Sequence, residues 1–501
     1  MPTRLVILGG GTAGWMAANL FVKRWSAEQV QVTLIESPNI GIIGVGEGST
    51  PTLKRFFELI DVPDRDWMPR CEATYKVSIR FEGWSPESGI HSYAHPFVTQ
   101  VDTHVQNAFL TNCTTRRLGL DVHTQPDDFF LNGVLARQGK GPLTPESFPF
   151  AVDYGYHFNS GQLGAYLAEV ATARGAHHVQ ARIVDVARHE NGDIAALIDE
   201  DGRRYDGDMF VDCTGFAGVL MQKTLEVPFR SFSDNLFNDS AVVMPTPRDD
   251  ALIPETESIA MSTGWRWRIP LTSRYGNGYV YSSAFIDHDA AETELRQALG
   301  TLDSDVPARR LSMRVGQLSK HWSRNCLGLG LSQGFIEPLE ATALLLVQVT
   351  VELFMSHYEA AEFTNRDADE FNRKIDERFE RVRDYVVGHY KLNTRNDSDY
   401  WRANRDNPVL SDSLKHLFDT WFRCKDLSAE IQRQNLESHF GTLSWHCLLA
   451  GYGAFPPPAP NQPGRGDHYT EKDVATFLHG CALNFAPHAD NLSAGAMTSD
   501  G

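Results

Sequence analysis

Polar and apolar positions follow two rhythms along this chain. The run Arg-Leu-Val-Ile-Leu, residues 4–8, is almost unbroken apolar sequence followed by three glycines, the pattern of a short buried strand. From about Trp15 to Trp25 apolar residues recur at helical spacing, and VQVTLIE then alternates as a second strand ending at Glu36. Together they predict a β–α–β unit. A glycine-rich loop, SPNIGIIGVGEGSTP, leads into a helix near Leu53 to Ile60.

Farther on, ARIVDVARHENGDIAALIDEDGRRYDGDMFVDCTG reads as a meander with turns at Asn191-Gly192 and Asp201-Gly202, its last strand being MFVDCTG. GWRWRIP, Gly264 to Pro270, alternates two indoles with two cations, so Trp265 and Trp267 share one strand face and Arg266 and Arg268 the other. Proline closes the run because it cannot donate to a ladder. Ala341 to Met355 reads as a buried helix and Asp367 to Lys391 as an amphipathic one; the remainder is helix-rich, with a proline-rich loop at Pro456 to Asp467. There is no internal repeat. These patterns predict an α/β fold whose first 390 residues form one module with pocket segments inserted at about 75–160. A helical region over 391–490 and a disordered tail over 491–501 complete the expected division.

Composition narrows the class. The chain has 501 residues, 42% hydrophobic and 22% charged, as in ordinary globular proteins. A net charge of -18 argues against nucleic acid and anionic membrane surfaces as partners, because both favour excess Lys and Arg. The seven cysteines are scattered, with no CxxC or HExxH, so no metal site is expected. His91 and His95 stand four apart with no third ligand nearby, and His95 reads better as a pocket wall. RLVILGGG is too short for a secretory leader, which predicts a cytoplasmic protein.

Gly9-x-Gly11-x-x-Gly14 falls between strand and helix, where a dinucleotide fingerprint belongs. Gly9 permits the tight turn, Gly11 the approach of a pyrophosphate, and Gly14 close helix packing. Glu36 ends the second strand 22 residues past Gly14, placed to accept from a ribose hydroxyl. Only one such unit exists, and the distant DCTG strand marks a second return to the cofactor. Both features favour FAD over a nicotinamide nucleotide, with electrons arriving from another protein or as free reduced flavin.

At this point the chain resembles the flavin-dependent halogenases of the tryptophan-halogenase type. GGGTAGWMAA, GVGEGSTP, ATYKVSIRFEGW, His95-Pro96-Phe97, FVDCTGF, GFIEPLEATAL and the WxWxIP signature carry the match, over roughly residues 5 to 345. The resemblance implies an FAD-binding three-layer fold of the p-hydroxybenzoate-hydroxylase-like type. It implies FAD supplied reduced by a separate NAD(P)H-dependent flavin reductase, with O2 and chloride or bromide as co-substrates. A flavin hydroperoxide would oxidise halide to hypohalous acid, which reaches Lys76 and halogenates an electron-rich aromatic ring such as an indole, free or carrier-tethered. Glu340 would orient the oxidant or take the ring proton. Halide would lie on the backbone amides of Thr342 and Ala343. His95, Pro96 and Phe97 would line the substrate pocket, and Trp265 and Trp267 would wall the flavin from the organic substrate. Besides Gly9, Gly11, Gly14 and Glu36, the expected cofactor contacts are Thr12, Ala13, Ser37, Ile40, Ile43, Val45, Glu47, Gly48, Val184, Leu331 and Leu344. A homodimer is left open. The chain departs from the family's FxxPxxSxG pattern: Ala341 replaces Ser and Ala343 replaces Gly, so Ala343 is expected to resist a φ that glycine tolerates.

Taken alone, these residues also allow plainer readings. Lys76, Ser78 and Arg80 would share one strand face, which solvent alone could explain. Glu340 could be an acid at a helix N-terminus. A flavin monooxygenase is the alternative function, although GLGLSQGFIEP lacks the Asp of its usual GDAxH. A non-catalytic flavin-binding protein would leave Lys76 and WxWxIP unexplained. A hydrolase is suggested only by Gly330-x-Ser332-x-Gly334, a GxSxG match that lies inside the flavin motif.

Overall fold

The computed structural model describes residues 1–39, 41 and 46–497, with side chains described through 493. The chain forms two compact units, each assembled from three separated segments. Unit 1 comprises Met1–Glu72, Phe158–Phe232 and Arg314–Glu380; unit 2 comprises Ala73–His157, Ser233–Met313 and Arg381–Gly501. This division interleaves the chain and differs from the expected linear one, because pairing partners in each unit are distant in sequence.

Unit 1 is built on a six-stranded sheet. Its order is Trp322–Ser323, Cys326–Gly328, Met209–Asp212, Thr3–Leu8, Val30–Glu36, His177–Gln180. Four of its five pairings are parallel, and Leu5 to Leu8 are all buried, as a strand covered on both faces requires. The first helix, Thr12–Arg24, starts three residues earlier than its apolar period suggested. Trp15 and Phe21 on it are buried. The meander forms over Ile183–Arg188, Ile194–Asp199 and Arg204–Asp206, with Gly192 and Gly202 at positive φ in its turns. Its expected last strand, Met209–Asp212, instead leaves to pair with Leu5 to Leu8. Four consecutive buried residues suit a parallel interior better than a meander edge.

Unit 2 holds a seven-stranded sheet ordered Arg309–Ser312, Ser240–Thr246, Tyr275–Tyr281, Gly264–Pro270, Glu255–Met261, Ser78–Glu82, Ser92–Pro96. All its pairings are antiparallel except Glu255–Met261 with Ser78–Glu82. A separate two-stranded ladder joins Thr74–Lys76 to Gly155–His157. Helices dominate the C-terminal part. The expected amphipathic helix spans Ala368–Leu392, and the expected buried helix runs over Ala343–Ala360. Where a disordered tail was expected, His488–Met497 is a helix anchored by the buried side chain of His488; residues 498–501 lie outside the described part.

Candidate active site

In unit 1 the nucleotide fingerprint is backbone geometry made legible by glycine. Gly9 has φ +115, and a Cβ there would lie 2.3 Å from the Cys213 carbonyl oxygen. A Cβ on Gly14 would lie 2.1 Å from the Gly9 carbonyl oxygen. Gly11 is extended at φ -71, ψ 175, with open space where a Cβ would stand. It precedes a helix start that no side chain caps, so first-turn amides, those of Thr12 and Ala13 among them, remain donors for an anion. The open cradle, the uncapped amides and an acid at the strand end fit a dinucleotide.

Two further residues shape this end, and neither was marked by GxGxxG spacing. A Cβ on Gly10 would lie 1.6 Å from Glu36 Oε2, so glycine is needed for the acid to fold under the turn. His178 Nε2 lies 2.7 Å from Glu36 Oε1 and fixes that carboxylate. Ser37 is half-buried, and its Oγ accepts from the Asn39 amide. The Glu47 carbonyl accepts from the Phe158 amide at 2.9 Å, and Gly48 is half-buried. Ile40, Ile43 and Val45 lie outside the described residues. Val184 is exposed; it is the extra residue of a bulge between Ile183 and Asp185.

The two other flavin-motif stretches meet the same turn. Asp212 of DCTG is fully buried; its carboxylate accepts from the Thr214, Leu220 and Met221 amides and from the Thr214 hydroxyl. Burial still raises its pKa, and those hydrogen bonds oppose the rise. This acid fixes the next turn and is occupied. Gly330, at φ +63, opens the turn Gly330–Ser332, which carries half-buried Leu331; a Cβ on Gly330 would come within 2.9 Å of Ala13 Cβ. Ser332 Oγ is buried and donates to the Asp212 carbonyl. The GxSxG match is therefore a structural turn, and a hydrolase elbow is excluded.

Pro338–Glu340 is one 3-10 turn with Glu340 buried. Ala341 then adopts φ +53, ψ 34, the left-handed region. Thr342 is buried at φ -85, and Ala343 begins the helix, with half-buried Leu344 next. The expectation about Ala343 is corrected here: its backbone is helical, and the strained φ falls on Ala341. Amides at the start of this 18-residue helix suit an anion.

In unit 2, Lys76 ends the Thr74–Lys76 strand and is fully buried, with Nζ 5.6 Å from the centroid of the Phe97 ring. The reading of Lys76, Ser78 and Arg80 as a solvent face is overturned. Pairing changes at Val77, Ser78 donates to Glu255 at 2.9 Å, and half-buried Arg80 pairs with Glu255 and Asp127 at 2.6 and 3.2 Å. His95 and Pro96 are buried on Ser92–Pro96, opposite Ile79 and Ser78; Phe97 follows, half-buried. His95 packs edge-on to Tyr385 at 6.2 Å, and Tyr385 stacks on Phe440 at 3.7 Å. Phe440, Trp445, Arg381 and Asp384 line a small, partly open pocket. These C-terminal aromatics have no recognisable spacing and were missed.

GWRWRIP is a strand over Gly264–Pro270 with both indoles buried and both guanidinium groups half-buried. Arg268 lies 3.9 Å over the Tyr275 ring and pairs with Asp249 and Glu257. Trp267 occupies the space above Gly278, where a Cβ would come within 2.1 Å of the indole.

These are the stretches that carried the resemblance to the flavin-dependent halogenases. The chain belongs to the tryptophan halogenase family, whose model matches residues 4–463. It is 34% identical over 484 residues to the 7-chloro-L-tryptophan 6-halogenase KtzR of a Kutzneria species, covering 91% of each chain. It is 35% identical over 491 residues to the tryptophan 6-halogenase SttH of Streptomyces toxytricini, again covering 91% of each. Among solved structures it is similar to BrvH, a flavin-dependent halogenase from a Brevundimonas species, with a TM-score of 0.83, 31% identity and 99% of both chains covered. Among the described residues no helix is long and apolar enough to cross a membrane.

Proposed function

We propose that this enzyme halogenates an electron-rich aromatic ring of the indole class with reduced FAD, O2 and chloride or bromide. A separate NAD(P)H-dependent reductase supplies the reduced flavin. The complete burial of Lys76 inside the ATYKVSIRFEGW motif carries the reading, since lysine is among the residues least often found fully buried.

The reduced flavin, when bound, supplies the electrons that activate oxygen. The chain's own residues do the rest. First-turn amides behind Gly11 hold the pyrophosphate, and Glu36, steadied by His178, accepts from the ribose. The Thr342 and Ala343 amides hold halide. Lys76 as the ammonium donates a hydrogen bond to hypohalous acid and orients its halogen toward the ring; as the free amine it would carry the halogen itself. The ring carbon takes the halogen, hydroxide or water leaves, and the displaced ring proton passes to the Glu340 carboxylate. His95, Pro96 and Phe97 support one wall of the substrate pocket, and the indoles of Trp265 and Trp267 a barrier to the organic ring.

The test supplies full-length protein with FAD, NADH, each halide and an aromatic panel, and reads products by mass spectrometry. Halogenated product is expected only when a flavin reductase is added. Hydroxylated, halogen-free product would move the chain to the monooxygenases.

A further inference from the structure

The strand that carries Lys76 is too short to hold itself. Its ladder pairs only Thr74 with His157, Tyr75 with Tyr156 and Lys76 with Gly155. A two-stranded ladder of that length is marginal in isolation. Beyond the pairing of Ser78 with Glu255 just after it, three ties connect the stretch Thr74–Val77 to one segment, residues 252–256. The Val77 amide donates directly to the Pro254 carbonyl at 2.7 Å. The other two ties pass through imidazoles.

His157 is fully buried between two hydroxyls. Its Nδ1 lies 3.0 Å from Thr74 Oγ1 and its Nε2 2.9 Å from Thr256 Oγ1. Thr74 Oγ1 donates its single proton to the Pro270 carbonyl at 2.7 Å. Toward His157 that hydroxyl can only accept, so Nδ1 carries the proton, and in the neutral ring Nε2 is left to accept from Thr256. His488, also buried, repeats the arrangement. Its Nδ1 faces the Leu252 carbonyl at 2.8 Å and must donate; its Nε2 accepts from the Tyr75 amide at 3.2 Å. Both rings are thus neutral Nδ1–H tautomers.

We propose that His157 and His488 are positioning residues for Lys76: two neutral imidazoles that bridge Thr74 and Tyr75 to residues 252–256 and so fix the lysine strand. The inference rests on the role proposed above for Lys76. The Pro270 carbonyl, at the end of GWRWRIP, fixes the Thr74 proton and through it the Nδ1 proton of His157. Burial supports the neutral state of both rings, lowering the His488 pKa to about 4 and that of His157 well below its ordinary value. The charged and titratable groups that act on His157 are Lys76 and His488.

Paired substitutions separate the two ends of each bridge. Asn places its amide where Nδ1 stood, and Gln places its own near Nε2. At 157 the lysine-side bond uses Nδ1, so His157→Asn should keep kcat within about threefold of wild type while His157→Gln loses about tenfold or more. At 488 the lysine-side bond uses Nε2, so the order reverses: His488→Gln is tolerated and His488→Asn is not. In the impaired variants KM for the aromatic substrate should be unchanged and hypohalous acid released to solution should rise. Equal effects of Asn and Gln at either position, measured at equal folded fraction, would overturn the clamp. Should variants not fold, the imidazole 15N signals assigned to His157 and His488 in the wild-type protein at pH 7 decide: both rings are expected as Nδ1–H, and an Nε2–H or doubly protonated state of either refutes the proposal. Lys76→Ala runs alongside. If it halogenates normally, the role of the lysine falls, while the 15N spectra still judge the clamp.

Discussion

At Gly9–Gly14 the backbone itself makes the proposed cofactor cradle. Missing side chains let a turn close against Cys213 and leave space before Gly11, and four residues of one type within six positions do the work. At Thr74–Lys76 the backbone is an ordinary short strand. Its placement depends on side chains from residues 157, 256 and 488 and on carbonyls at 252, 254 and 270. The first region is local and written in one word of sequence. The second draws on four stretches of chain and looks, in any one of them, like nothing in particular. Cofactor cradles can therefore be found by spelling, whereas reactive side chains are found by asking what holds them.

The largest effect that separates the regions is expected from Lys76→Ala. Halogenated product should fall about 10³-fold or more, with FAD affinity unchanged, because the lysine unit contributes none of the glycine turn. Product analysis and flavin titration on the same preparation check both halves. Loss of FAD binding would mean that the two regions are not functionally separate.

Glu340→Gln comes next. It keeps shape and hydrogen bonding but removes the base, and turnover should drop about 10²-fold. Unchanged turnover with a lower melting temperature would reduce Glu340 to a structural acid at the turn.

A smaller effect sharpens the glycine side. Gly9→Ala should cost about 1–3 kcal/mol of stability from its positive φ alone, before the clash with Cys213. Gly11→Ala should leave the flavin-free melt within about 0.5 kcal/mol and weaken FAD binding about tenfold or more. Thermal melts with and without FAD distinguish turn glycine from approach glycine. Equal destabilisation by both substitutions would erase the distinction.

The smallest effect lies at the start of the Ala343–Ala360 helix. Ala341→Gly relieves a left-handed alanine and should stabilise the protein by about 1 kcal/mol, read as a rise in melting temperature. A fall would mean that the Ala341 methyl group contributes packing worth more than the strain.

Much of unit 1 was legible in the sequence because its signals are local. Strand, glycine turn, helix and terminal acid follow one another within 36 residues, and only Gly10 and His178 escaped, both acting through Glu36. The family motifs supplied Lys76, yet strand periodicity alone assigned it a solvent face. Period two says which residues share a side, and only the change of partner at Val77 decides what covers it. The Ala341 strain was placed two residues late, since a motif aligns residue types and does not report dihedrals. The order of the two units was illegible for a related reason: which strand neighbours which is a long-range choice that composition does not encode.

The strand Thr3–Leu8 has neighbours born at different times. Val30–Glu36 follows it closely, Met209–Asp212 emerges roughly 200 residues later, and Cys326–Gly328 completes that side later still. At about 5–20 residues per second, a ribosome leaves one edge of Leu5–Leu8 waiting about 10–40 s for its partner. An unpaired apolar edge can join any other strand it meets in that interval. Slower translation lengthens that exposure.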